Sequence, residues 1–200
     1  MGERLSGEER RRVIIEAALS LFSRKGFRGT TTKEIAQAAG CSEAMLFKHF
    51  ATKDALYSTI LESKVQIEET LAKARQAAAR KDDAGVFRAV GLEGLLQTER
   101  DPSLMRLLLF SALEGHALAH TFFETKVRSL HEFLGSYIDA RIAEGVFRPV
   151  NALVAARGFV GMIVHYLLVH EIYGMKRPAG FLPEQVVDTF VTLFCDGIKR

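Results

Sequence analysis

The sequence predicts an all-α chain, with a three-helix helix-turn-helix unit over residues 1–52 and a second, helical domain over 53–200. Three observations carry that expectation. Trp is absent and only four Pro occur, three of them beyond residue 148, so the first two-thirds of the chain is nearly free of helix breakers. Apolar residues recur at helical spacing, not in alternation. Cap residues and stop glycines then fall between the periodic runs at helix-length intervals.

Each element follows from those rules. From Glu8 to Arg24, Ile14, Ala18 and Leu21 with Ala17 and Phe22 form one apolar stripe, closed by Lys25 and Gly26. Thr31 and Glu34 fit a capping box for a short second helix, with Ile35, Ala36 and Ala39 on its apolar side and Gly40 as its stop. Ser42 caps a third short helix ending near Phe50. Thr52 caps a fourth, with Asp54 set against its N-terminal dipole, and this helix is expected to run through Leu56, Ile60, Ile67 and Leu71 to about Ala79. Lys81-Asp82-Asp83 breaks it. Further helices are expected over 84–98, from the Asp101-Pro102 N-cap pair past Leu109, from about 120 to 144 ending at Gly145, from Asn151 through about Ile172, and from Pro183 to about Ile198.

Composition narrows the class further. The 200 residues are 48% hydrophobic and 26% charged, an ordinary globular balance that excludes a disordered, collagen-like or disulfide-scaffold chain. Cys41 and Cys195 form no CxxC pair and read as reduced thiols of a cytoplasmic protein. The N-terminus lacks the apolar run of a secretory signal, and its loose myristoylation match through Gly2 and Ser6 sits among acids. The longest apolar stretch, Gly158 to Val169, reads as too short to span a bilayer, so a soluble protein is expected. The formal net charge of +3 resides wholly in residues 1–60, which hold ten Lys/Arg and seven Asp/Glu. Such an excess matters only if that third of the chain has a shape suited to a polyanion.

Two short helices joined through Gly40 have that shape, since the second would lie in a DNA major groove. At about 100° per residue, Leu46 and Phe50 point inward while Ala44 and Lys48 point out, with Met45 beside them and Phe47 and His49 on the flanks. The bland alternative is an ordinary three-helix packing unit with Met45 and Phe47 in its core.

The stretch Gly26-Phe27-Arg28-Gly29-Thr30-Thr31-Thr32-Lys33-Glu34-Ile35-Ala36, followed by Gly40-Cys41-Ser42 and Leu46-Phe47-Lys48-His49-Phe50-Ala51-Thr52-Lys53-Asp54-Ala55-Leu56, resembles the DNA-binding domain of TetR-family transcriptional regulators. The resemblance implies a DNA-binding domain at 1–52 and an effector-binding and dimerisation domain at 53–200. It implies phosphate contacts by Thr31 and Lys53, groove-facing or base-reading roles for Ala44, Met45 and Lys48, and a backbone contact by His49. Arg28, Lys33, Ser42 and Phe47 complete the implied interface. Two residues depart from the pattern. Phe47 stands where Tyr is usual and lacks its phenolic donor. Glu43 would be repelled by phosphate unless it accepts from a cytosine, and it is read as solvent-facing.

The expected partners are palindromic double-stranded DNA, a second copy of the chain and a small-molecule effector, with no membrane and no cofactor. Residues 152–172 are apolar nearly all round, and 183–198 add Val186, Val187, Phe190, Leu193 and Phe194, which points to a homodimer through both helices rather than one central buried helix. Candidate effector contacts are Met105, Leu109, His116, Phe122, Phe123, Phe133, Tyr137, His165 and Tyr166. The expected function is a repressor that releases its operator when the effector binds. A helical interaction adaptor and a metal-dependent sensor using His116, His120 and Glu124 are the alternatives, although no metal site is assigned. No nucleophile elbow, HExxH or P-loop occurs, so catalysis is not expected.

Overall fold

The computed structural model describes residues 5–64, 67–176 and 180–200. Helices dominate, and the β-structure among the described residues is a single bridge between Phe147 and Lys199. The chain forms two compact units, residues 1–65 with 103–122, and 66–102 with 123–200.

The first unit holds α1 (Gly7–Lys25), α2 (Thr32–Ala38), α3 (Glu43–His49), α4 (Lys53–Lys64), α7 (Ser103–Leu113) and α8 (Ala117–Phe122). A capping box opens α1, where the Ser6 hydroxyl accepts the Glu9 N–H and the Glu9 carboxylate accepts that of Ser6. The expected box opens α2 through Thr31 and Glu34, and Ser42 caps α3 by accepting the Met45 N–H at 3.2 Å. Gly40, at φ 62°, supplies the left-handed residue that lets α2 turn into α3. Ile14, Phe22, Ile35, Leu46, Leu56, Tyr57 and Ile60 are fully buried and form the core. α7 packs along α1, and the Tyr57 hydroxyl donates to the buried Ser111 hydroxyl at 2.7 Å.

The second unit holds α5 (Ile67–Ala79), α6 (Asp83–Arg100), α9 (Arg128–Ala143), α10 (Ala152–Leu167) and α11 (Pro183–Ile198). Phe87 meets Phe159 and Phe194 with ring centroids 5.0 and 4.7 Å apart, and Leu134, Ile138 and Val187 are fully buried in the same unit. At one end of the unit the Asp83 carboxylate accepts the Tyr137 hydroxyl at 2.6 Å and two guanidinium N–H groups of Arg141. Burial, with the Asp83 charge beside it, raises the Tyr137 phenol pKa.

Several boundaries differ from the sequence reading. The helix expected at Pro102 opens one residue later, at Ser103. The helix expected from about 120 begins at Ala117 and is interrupted by a π turn over Phe123–Val127. A second π turn, Leu168–Ile172, extends α10. Continuity of one helix across residues 65 and 66 lies outside the described residues. The apolar run near residue 160 is longer than the sequence reading allowed: Ala152–Ile172 has a mean hydropathy of 1.8 and is long and apolar enough to cross a bilayer by those two measures. The same composition suits a helix covered on two sides within a protein assembly.

Candidate nucleic-acid interface

α3 separates its residues cleanly. Leu46 is 0% and Phe50 3% exposed, locked against the unit's core, whereas Met45 and Phe47 are 40% and 45% exposed. Ala44 and Lys48 are exposed between them, and His49 is half-buried. Met45 and Phe47 are therefore not core residues, which removes the ordinary packing unit as a reading of this helix.

Two arginines from α1 fix α3 and its neighbour in place. Arg10 donates to the carbonyls of Ala39 and Gly40 at the end of α2, at 3.3 and 3.4 Å. Arg11 donates to the carbonyl of His49 at 2.9 Å and lies 4.2 Å above the Phe50 ring. Both satisfy carbonyls that have no partner within their own helix and sit at the negative end of its dipole. Sequence reasoning missed these roles because the run Arg10-Arg11-Arg12 registered only as net charge. The cations left for a polyanion are fewer than the sequence suggests. Arg28, Lys33 and Lys48 are exposed, and their side chains make no ion pair among the described residues.

An open hollow of about 470 Å³ brings together Arg28, Thr30, Thr31, Thr32, Phe47, Thr52 and Lys53. Four of the expected DNA contacts thus meet around one concave surface between the starts of α2 and α4 and the end of α3. Thr31 is exposed there, but its hydroxyl already accepts the Glu34 N–H at 3.2 Å and donates to the Glu34 carboxylate at 3.0 Å. The Lys25 ammonium at 2.6 Å, with the Thr31 donors, holds the Glu34 carboxyl down at about 2. Lys53 donates to the carbonyls of Phe27 and Thr30, both at 2.9 Å, and its ammonium lies 4.1 Å over the Phe27 ring. It is a tether first, with one N–H left for a ligand. Glu43 is exposed and accepts the Thr32 hydroxyl.

Glu114, just beyond α7, holds the same turn from behind. Its carboxylate accepts the Phe27 N–H at 3.1 Å and the Arg28 N–H at 3.3 Å. Gly26, at φ 75°, makes this possible, because a Cβ there would lie 2.3 Å from the Glu114 Oε1. The contact spans 87 residues of sequence, and no local pattern signals it.

The residues expected to line an effector site divide between the units. In the first unit, the His116 ring stacks on Tyr57 at 5.0 Å and meets Phe27 edge-on at 4.1 Å, and its Nδ1 accepts the Leu118 N–H. Its Nε2 lies 3.5 Å from Asp54. Met105 and Leu109 are half-buried on α7 and Phe122 is buried. In the second unit, the Tyr137 hydroxyl is engaged by Asp83, Tyr166 packs against His170 and Phe190, and His165 is exposed. Phe133 lies under Arg75, and Phe123 lines a hollow of about 420 Å³ with His131 and Arg157. Burial and the nearby Arg157 charge lower the His131 pKa. No group of three His, Cys, Asp or Glu side chains among the described residues is placed to hold a metal.

Residues 14–60 match the family model for bacterial regulatory proteins of the TetR family, and 89–197 match the C-terminal domain of AefR-like transcriptional repressors. The chain is 25% identical over 191 residues to the HTH-type transcriptional regulator YvkB of Bacillus subtilis (strain 168), covering 93% of this chain and 95% of that one. It is 27% identical over 183 residues to the HTH-type transcriptional regulator AcrR of Shigella flexneri, covering 86% and 85%. Among solved structures, AibR in complex with isovaleryl coenzyme A and operator DNA superposes with a TM-score of 0.68 at 26% identity, over 92% of this chain and 97% of that one. PfmR from Thermus thermophilus shares the fold at a TM-score of 0.72 and 23% identity, over 94% and 99%. The chain belongs to the TetR family and is a DNA-binding transcriptional regulator.

Proposed function

We propose that this regulator is a repressor that occupies a palindromic operator as a homodimer and releases it when a small molecule binds within residues 53–200. Residues 1–52 form the DNA-binding domain in this reading, and Lys53, at the start of α4, adds one further contact. The observation that carries it is the outward face of α3, where Ala44, Met45, Phe47 and Lys48 are exposed around a buried Leu46. Lys48 and Met45 face bases. Arg28, Thr31, Lys33, Ser42, Phe47, His49 and Lys53 face the sugar-phosphate backbone, and such contacts set register and salt dependence but not sequence.

Dimerisation through 152–172 and 183–198 is supported by apolar side chains left in solvent: Leu153 at 41%, Val154 at 64%, Val164 at 40% and Leu193 at 63% exposed. A two-fold pair would present its reading helices about 34–36 Å apart, one turn of duplex. AibR, seen with both isovaleryl coenzyme A and operator DNA, supports effector control. The effector acts only through different affinities for the DNA-bound and free arrangements.

Selection of bound sequences from random duplexes by the full-length protein tests the reading. A two-fold symmetric site is expected, with binding lost in Val154→Glu and Leu193→Glu together, as the protein becomes monomeric. A selected site without symmetry, or full binding by a monomer, refutes it. Binding that survives a chelator separates this reading from a metal-dependent sensor.

A further inference from the structure

The face that α3 presents is short of hydrogen-bonding groups. Its exposed residues are Glu43, Ala44, Met45, Phe47 and Lys48. Glu43 is tied to the Thr32 hydroxyl, and Phe47 lines the hollow with Arg28, Thr31 and Lys53, the residues that the proposed function sets against the sugar-phosphate backbone. Ser42 is the N-cap, where its oxygen accepts the Met45 N–H, and the proposed function sets its remaining O–H donor against the sugar-phosphate backbone. The base-facing set is therefore Ala44, Met45 and Lys48, two apolar groups and one ammonium. No Asn, Gln or Arg stands on this helix to read adenine or guanine by a paired contact.

In the major groove only thymine offers an apolar group, its C5 methyl, while guanine offers the N7 and O6 acceptors that suit an ammonium. We propose that each half-site is read through thymine methyl groups seated against Ala44 and Met45, with a single guanine taken by Lys48. Removing a methyl from such a contact forfeits the burial of about one carbon. Adenine on the opposite strand is then specified only through its thymine partner. The inference rests on α3 being the reading helix, and it adds the chemical groups that helix recognises.

The experiment uses the full-length protein and its selected operator, with each thymine of a half-site replaced in turn by deoxyuridine. This change deletes the methyl and leaves every base-edge hydrogen-bonding group in place. At one or two positions per half-site, affinity is expected to fall about three- to fivefold per methyl, and 5-methylcytosine is expected to be tolerated better than cytosine there. In Met45→Ala the penalty for deoxyuridine at its position is expected to vanish, although the variant still binds. Replacing the contacted guanine by 7-deazaguanine is expected to cost the wild type several-fold and Lys48→Ala nothing further.

If deoxyuridine is neutral throughout a site that the protein binds tightly and selectively, methyl readout is wrong while the operator-binding reading stands. If no duplex is selected at all, the operator-binding reading fails and this inference with it. If Met45→Ala weakens binding but leaves the deoxyuridine penalty unchanged, Met45 is not the reader and its assignment is overturned.

Discussion

Glu114→Ala is the most informative single substitution, because one carboxylate closes the turn that carries Arg28 and leads into Thr31. Its removal strands two backbone donors, the N–H groups of Phe27 and Arg28, which it now accepts at 3.1 and 3.3 Å. Each hydrogen bond to a charged group contributes about 1.5–3 kcal/mol, and the longer one faces solvent at Arg28, where water replaces it at small cost. A loss of about 2–3 kcal/mol follows for the first unit. At about 2–4 °C per kcal/mol for a chain of this size, the melting temperature should fall by about 4–12 °C. Glu114→Gln keeps an acceptor but not the charge and should lose about half as much. Thermal unfolding by circular dichroism reads the size of the effect, and amide exchange at Phe27 and Arg28 reads its place. An unchanged melting temperature with both amides still protected would refute the latch. Operator affinity should fall alongside with the same base preferences, since the turn positions phosphate contacts.

Three further outcomes follow from the same geometry. Phe47→Tyr places a phenolic donor beside the hollow formed with Arg28, Thr31 and Lys53, and should raise affinity about five- to tenfold equally for all operator variants, by fluorescence anisotropy. Lys53→Ala should lower the slope of log affinity against log salt by about one per subunit without altering base preference; losses confined to one base position would make Lys53 a base reader instead. The third concerns pH. Glu34 is depressed in the folded state, so its contribution to the α2 cap is complete above 4.5 and is lost as pH falls towards about 2. The Glu34 carboxyl resonance should titrate near the lower value in the wild type and return towards 4.5 in Lys25→Ala.

Most of the fold that is legible in the sequence is local. Thr31 with Glu34, Ser42, Gly26 and Gly40 announce their helix ends through side-chain oxygens and left-handed glycines, which act within four residues of themselves. The split of α3 into a buried Leu46–Phe50 edge and an exposed Ala44–Lys48 face follows from helical period alone. The π turns left no such trace, because they form where packing overrides an otherwise helical sequence. Glu114 escaped for a related reason: its partners are backbone groups remote in the chain, and backbone donors look identical in every sequence. Arg10, Arg11 and Lys53 were legible as charge but not as tethers, since a cation bound to a carbonyl and a cation awaiting phosphate share one letter. His116 and Tyr137 have the apolar-plus-polar character of effector contacts, yet one closes an aromatic stack and the other anchors Asp83.

The most direct test records contacts between labelled protein and its selected operator by nuclear magnetic resonance. Intermolecular Overhauser effects should join the Ala44 β-methyl and Met45 ε-methyl to base protons of the major groove, with the methyls of Leu46 silent because they face the core. Effects that instead connect the DNA to another surface of the first unit, and leave Ala44 and Met45 untouched, would show that α3 does not enter the groove.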